Sequence, residues 1–186
     1  SYTANAKGEV YAIVSEMQDA ISLGVGEPDF DTPWHIREAA IYSIESGKTH
    51  YTANAGLLSL RKEICKYLKR RFALEYDPNK NVLVSVGGSE AIDLSLRAII
   101  EKGDEVILLQ PCYVAYEPAV ILAGGTPKFI ELKSENEFKL TKEELLAAIT
   151  PKTKAIILNF PSNPTGGVMT KQDYEPLIPI LKEHNI

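Results

Sequence analysis

The sequence predicts an α/β domain built on a mostly parallel sheet. Two observations carry this reading. From position 82 onward, short β-branched runs alternate with helical spacings, and glycine pairs mark the joints. The 186 residues are 45% hydrophobic, enough for one domain with a sizeable core.

The elements follow in order. Residues 1–17 show weak periodicity and read as an arm or linker. The pattern sharpens from Ile21, and Thr32-Pro33 reads as a helix start, a capping hydroxyl followed by proline at the first helical position. Leu57, Leu60, Ile64, Leu68 and Phe72 recur at helical spacing, predicting an amphipathic helix over 57–72. Residues 82–86 read as a short buried strand running into Gly87-Gly88-Ser89, with a helix over 90–100. A turn at Gly103-Asp104 leads to a strand over 105–109 and a helix over 113–123. Gly124-Gly125 turns into a strand over 127–132, and Thr141 with Glu144 forms a capping box opening a helix to about 149. A strand over 155–159 ends in the loop 160–167. Pro176 and Pro179 lack the amide a helix interior needs, so the last helix is weakly marked, with Pro176 placed in its first turn.

Composition excludes several classes of function. A net charge of −5 with interspersed signs gives no reason to expect nucleic acid or an anionic membrane as partner. Cys65 and Cys112 lie outside metal-ligand spacing and suit a reducing compartment, and no metal site is expected. No apolar run approaches the roughly 20 residues needed to span a bilayer, so a soluble cytoplasmic protein is expected. His35, His50 and His184 show no ligand or nucleophile spacing, and Lys69-Arg70-Arg71 reads as a solvated helix end.

In open α/β sheets, ligands bind outside the carboxyl ends of the strands, and three loops fall there. Gly87-Gly88-Ser89-Glu90 joins a strand to a helix N-terminus, where amides, a hydroxyl and the helix dipole suit a phosphate. A tight turn that merely needs glycine is the equal competitor. Tyr113, in the loop 110–116, offers a flat face to a planar ligand, although a packing role for it and for Cys112 is the simpler reading. In the loop 159–167, two prolines and two glycines frame Asn163 rigidly, and there the functional reading leads.

These residues carry a resemblance. Ser162-Asn163-Pro164-Thr165-Gly166 resembles the signature of class I/II, fold-type I, pyridoxal-phosphate-dependent aminotransferases of the aspartate and aromatic branch. Gly24-Val25-Gly26-Glu27-Pro28-Asp29-Phe30, His50-Tyr51-Thr52 with Gly56, and Gly87-Gly88-Ser89-Glu90-Ala91 resemble further segments of that family, in the family's order. The resemblance implies a three-layer α-β-α fold around a mostly parallel sheet, incomplete in this chain. Residues 1–48 would be the N-terminal arm and small-domain segment, and 49–186 the first half of the large cofactor-binding domain.

The site follows from the resemblance residue by residue. Gly88 and Ser89, helped by the amides of Gly87 and Glu90, would hold the phosphate of pyridoxal 5'-phosphate. Tyr113 would stack on its ring, Asn163 would bond its phenolic oxygen, and Gly26 would meet the substrate. Tyr51 would reach the partner's phosphate across a homodimer. The implied reaction moves an amino group between an L-amino acid and a 2-oxo acid.

No lysine here has the family's Schiff-base context, and neither the pyridinium aspartate nor the carboxylate-gripping arginine is found, so the chain alone is expected to be inactive. Two other readings are a truncated, non-catalytic paralogue that binds cofactor or a partner chain, and another fold-type I enzyme such as a β-lyase. The resemblance further implies that only strands 105–109 and 127–132 are neighbours. Strands 82–86 and 155–159 would then have unpaired edges, as expected of part of a longer protein.

Overall fold

The computed structural model describes residues 26–186, together with Ile13, Glu16, Met17 and Ile21. The arm assigned to 1–17 and the Gly24-Val25 part of the second motif fall largely outside the described residues. Two compact units divide the chain, residues 1–51 and 52–186.

In the first unit, helix α1 (Trp34–Glu45) buries none of its side chains. Its N-cap is Pro33, whose carbonyl accepts from the Ile36 and Arg37 amides at 3.0 and 3.2 Å. Thr32 therefore stands one residue too early to cap it, contrary to the sequence expectation.

The second unit opens with helix α2 (Leu58–Phe72), which ends at Ala73 in the left-handed region at φ 56°. Lys69, Arg70 and Arg71 fill the last turn and complement the dipole there. The apolar stripe is covered only in part, with Ile64 and Leu68 half-buried. Leu57, Leu60 and Phe72 are exposed, and the one buried residue of the helix is Arg61.

The run 82–86 is not a strand. Leu83 and Val86 are exposed, and the Val84 amide bonds only the Ala55 carbonyl, at 3.1 Å. A strand exists by pairing, and among the described residues no strand lies beside this run. Helix α3 (Gly88–Ile99) follows at once.

The sheet contains β1 (Glu105–Gln110), β2 (Thr126–Glu131) and β3 (Thr153–Ile157), all parallel, in the order β2-β1-β3. Leu108 of β1 faces Phe129 on one side and Ile157 on the other. The expectation that the strand near 155–159 lacks a neighbour is therefore overturned, since β3 pairs directly with β1. β1, already the most apolar run, becomes the central strand, and Val106, Ile107, Leu108 and Leu109 are all buried.

Side chains alternate across a strand, so the two faces of β1 feed two cores. Val106 and Leu108 pack with Leu96 of α3, Ile100, and Tyr116, Ala119 and Val120 of helix α4 (Tyr116–Leu122). Ile107 and Leu109 pack with Leu145 of helix α5 (Lys142–Ala148) and with Leu177 and Ile180. Helices on both faces make the three layers that were expected.

The capping box that opens α5 is present. The Glu144 amide donates to Thr141 Oγ1 at 3.2 Å, and the Thr141 amide donates to the Glu144 carboxylate at 2.9 Å. A second box, Thr170 with Asp173, opens helix α6 (Lys171–Tyr174). The final segment breaks into α6 and α7 (Ile178–Glu183), and Pro179, not Pro176, occupies a first turn.

Candidate active site

The chain leaves β1 for β2 through α4 on one face and reaches β3 through α5 on the other. Connections that part to opposite faces leave a crevice at the carboxyl end of the strand between them. A cleft lies there, lined by residues that include Leu109, Cys112, Tyr116, Asn159 and Asn163.

The glycine loop stands at the start of α3. Gly87 is the N-cap with φ 86°, a conformation that side chains with a Cβ rarely adopt. No atom lies within 4 Å of where a Cβ of Gly88 would sit, so the backbone is open to a ligand. The Glu90 carboxylate accepts the Val86 amide and Ser85 Oγ donates to the Gly87 carbonyl at 3.0 Å, which pins the loop from below. The first-turn amides of α3 remain directed outward, with the positive end of the helix behind them.

Tyr113 precedes α4 and does not belong to it, as its carbonyl accepts from the Tyr116 amide at 3.1 Å. Its hydroxyl stands 3.4 Å from Ser89 Oγ. Its ring meets that of Tyr116 edge to face, with centroids 5.6 Å apart. Burial, then the neighbouring Cys112 and Tyr113, pushes the Tyr116 phenol above its ordinary range. Burial, then Glu117, raises the Cys112 thiol, so neither group is disposed to ionise at neutral pH.

Asn163 sits in a self-bonded turn. The Ser162 amide donates to the Gly167 carbonyl at 2.9 Å, the Gly166 amide donates to the Ser162 carbonyl at 2.9 Å, and the Gly167 amide donates to Thr165 Oγ1 at 3.1 Å. Rigid backbone therefore presents Asn163 at the cleft. Gly26 and Tyr51 belong to the first unit. Gly26 has open space around it, and Tyr51 is fully exposed.

Residues 18–186 match the family described as Aminotransferase class I and II. The chain belongs to the class I and II aminotransferases. The aspartate aminotransferase of Pyrococcus abyssi is 46% identical over 178 residues, which are 96% of this chain and 46% of that protein. Aromatic-amino-acid aminotransferase 2 of Thermococcus litoralis is 40% identical over 178 residues, with the same coverage of 96% and 46%. Among solved structures, that of Pyrococcus protein-A1 superposes with a TM-score of 0.92 at 44% identity, covering 100% of this chain and 47% of the other. The chain spans about half the length of the curated relatives it matches, corresponding to their N-terminal half. Its architecture is that of the fold-type I aminotransferases.

Within this aminotransferase chain, the structure brings Ser89 and Tyr113 together and sets Asn163 on a cleft shared with Tyr116. Sequence reasoning passed over Asn159 and Tyr116 as site residues. Their positions just after β3 and at the start of α4 were the available signal. Arg61 was passed over as well, since it stands beside Lys62 and Glu63 and nothing in its spacing sets it apart.

Proposed function

We propose that this chain forms the phosphate-holding and ring-holding portion of a pyridoxal-phosphate-dependent aminotransferase, acting between an L-amino acid and a 2-oxo acid. One observation carries the reading: an open glycine loop at a helix N-terminus whose Ser89 hydroxyl converges on the Tyr113 hydroxyl. The residues present fit the cofactor. Gly88 leaves room for phosphate oxygens, the amides of Gly88, Ser89 and Glu90 are donors aimed at an anion, and Ser89 adds a hydroxyl. Tyr113 offers the ring a flat face, with its own tilt held by Tyr116. The Asn163 amide can donate to a phenolic oxygen, which favours the ionised form of that oxygen.

When bound, the cofactor supplies an electron sink for negative charge at the α-carbon of the amino acid. The residues here bind and orient. The covalent lysine and the substrate-gripping arginine are assigned to sequence outside these residues, since no lysine here stands in the family's Schiff-base context. These residues alone are accordingly proposed not to transaminate. Residues 1–48 are assigned to the arm and small domain, and 49–186 to the first half of the large domain. Tyr51, exposed in its own unit, is assigned to the phosphate of the partner subunit in a homodimer. Relatives named for aspartate and aromatic amino acids support substrates of those classes. A cytoplasmic location agrees with the cysteine usage and with the lack, among the described residues, of a helix long and apolar enough to cross a membrane.

The test is a spectroscopic titration of the full-length protein with pyridoxal 5'-phosphate and with pyridoxal, followed by amino-transfer assays on aspartate and aromatic donors. Phosphate-dependent binding together with transfer is the expected result. Equal affinity for the two compounds would count against the phosphate loop.

A further inference from the structure

Arg61 is 8% exposed, on a helix whose apolar stripe is covered only in part. Its Nε donates to the Gly56 carbonyl at 3.1 Å and its Nη1 donates to the Pro78 carbonyl at 2.8 Å. Among the described residues its charge meets these carbonyl oxygens and no carboxylate. A planar guanidinium holds two acceptors at a fixed separation, which a lysine ammonium does not.

The two carbonyls belong to the segments that flank α2, ahead of the glycine loop. Gly56 precedes α2, and Pro78 opens the turn that leads into 82–86. Next to Gly56 in the chain, the Ala55 carbonyl accepts from the Val84 amide at 3.1 Å. Gly56, at φ 91°, lies so close that a Cβ there would stand 2.7 Å from Val84 Cβ. The 82–86 run has no strand beside it among the described residues, so these contacts, with the Ser85 and Val86 bonds to Gly87 and Glu90, help to locate it. Gly87 follows directly.

We propose that Arg61 is a positioning residue for the phosphate-holding loop. By joining the Gly56 and Pro78 carbonyls it sets the place of 82–86, and with it the aim of Gly87, Gly88 and Ser89. The inference rests on the assignment of that loop to the cofactor phosphate.

The experiment measures dissociation constants of the full-length protein for pyridoxal 5'-phosphate and for pyridoxal, in the unaltered protein and in Arg61→Met and Arg61→Lys. Urea midpoints are recorded alongside. In the unaltered protein the ratio of the two constants reports on the loop assignment alone, and a ratio near one overturns that assignment and this proposal with it. With a large ratio in hand, a fall of about tenfold or more in a folded variant, with pyridoxal affinity held within roughly threefold, bears the proposal out. A smaller fall, or equal losses for both compounds, overturns it. Arg61→Lys keeps the charge and packing of the stem, and serves if Arg61→Met does not fold. Failure of both to fold would make Arg61 a residue of the fold at large and would overturn the positioning role.

Discussion

Ser89 Oγ and the Tyr113 hydroxyl stand 3.4 Å apart although 24 positions separate them in the chain. One follows the 82–86 run and the other follows β1, so the contact closes the space between two loops that the sequence presents as independent.

On the phosphate assignment proposed above, replacing Ser89 by alanine removes one donor to a charged group. A hydrogen bond of that kind contributes about 1.5–3 kcal/mol, so Ser89→Ala is expected to weaken pyridoxal 5'-phosphate binding by roughly 10- to 100-fold. Affinity for pyridoxal should barely change. Fluorescence titration with both compounds reads the difference, and matched losses would speak against the assignment.

Tyr116 is buried and braces the Tyr113 ring edge to face. Tyr116→Ala should cost about 3–5 kcal/mol, the usual range for truncating a buried aromatic. Tyr116→Phe keeps the ring contact and should cost less than roughly 1.5 kcal/mol. Urea denaturation separates the two, and equal midpoints for both variants would show that the ring is not a support.

Thr141 caps α5 through its hydroxyl, and Glu144 returns the bond. Thr141→Ala should lower stability by about 1 kcal/mol. The loss should appear in urea midpoints and leave cofactor affinity unchanged, because α5 lies under the sheet and away from the glycine loop. A changed affinity would reveal coupling that the packing does not suggest.

Asp173 accepts from the Thr170 amide at 2.6 Å, then from Thr170 Oγ1 at 2.8 Å, with Lys139 Nζ at 3.8 Å. These contacts, the amide first, hold its carboxyl below the ordinary value of 3.8. A carboxylate with a lower pKa in the folded state contributes stability that is fully present above the unfolded value. That contribution is lost as pH falls through the folded value. Asp173→Asn should therefore flatten the loss of stability on acidification below about pH 4. Thermal midpoints taken down to that range test it, and parallel curves for the two proteins would contradict it.

Local signals survived the passage from sequence to structure better than relational ones. The Thr141 and Glu144 spacing is a contact between near neighbours, and it formed as read. The apolar β1 run was legible because its burial depends on its own composition. The 82–86 run had the composition of a strand, but a strand also needs a partner, and none among the described residues stands beside it. The pairing of β3 with β1 is a property of how the crossovers are laid, which no residue of either strand encodes. At the site, the glycine loop and the Asn163 turn were visible as motifs, whereas the Ser89 to Tyr113 contact and the burial of Arg61 arise only from packing.

Both faces of β1 are sealed, whereas the loops leaving the sheet at its carboxyl edge are half-buried, with Val114, Asn163 and Pro164 exposed. Substitutions in the two regions are therefore answerable to different tests. A change at Leu108 bears on whether the sheet packs at all, whereas a change at the exposed Asn163 leaves the packing of the sheet in place. The sheet thus tolerates alterations in the Ser162–Gly167 turn that it would not tolerate in its own central strand.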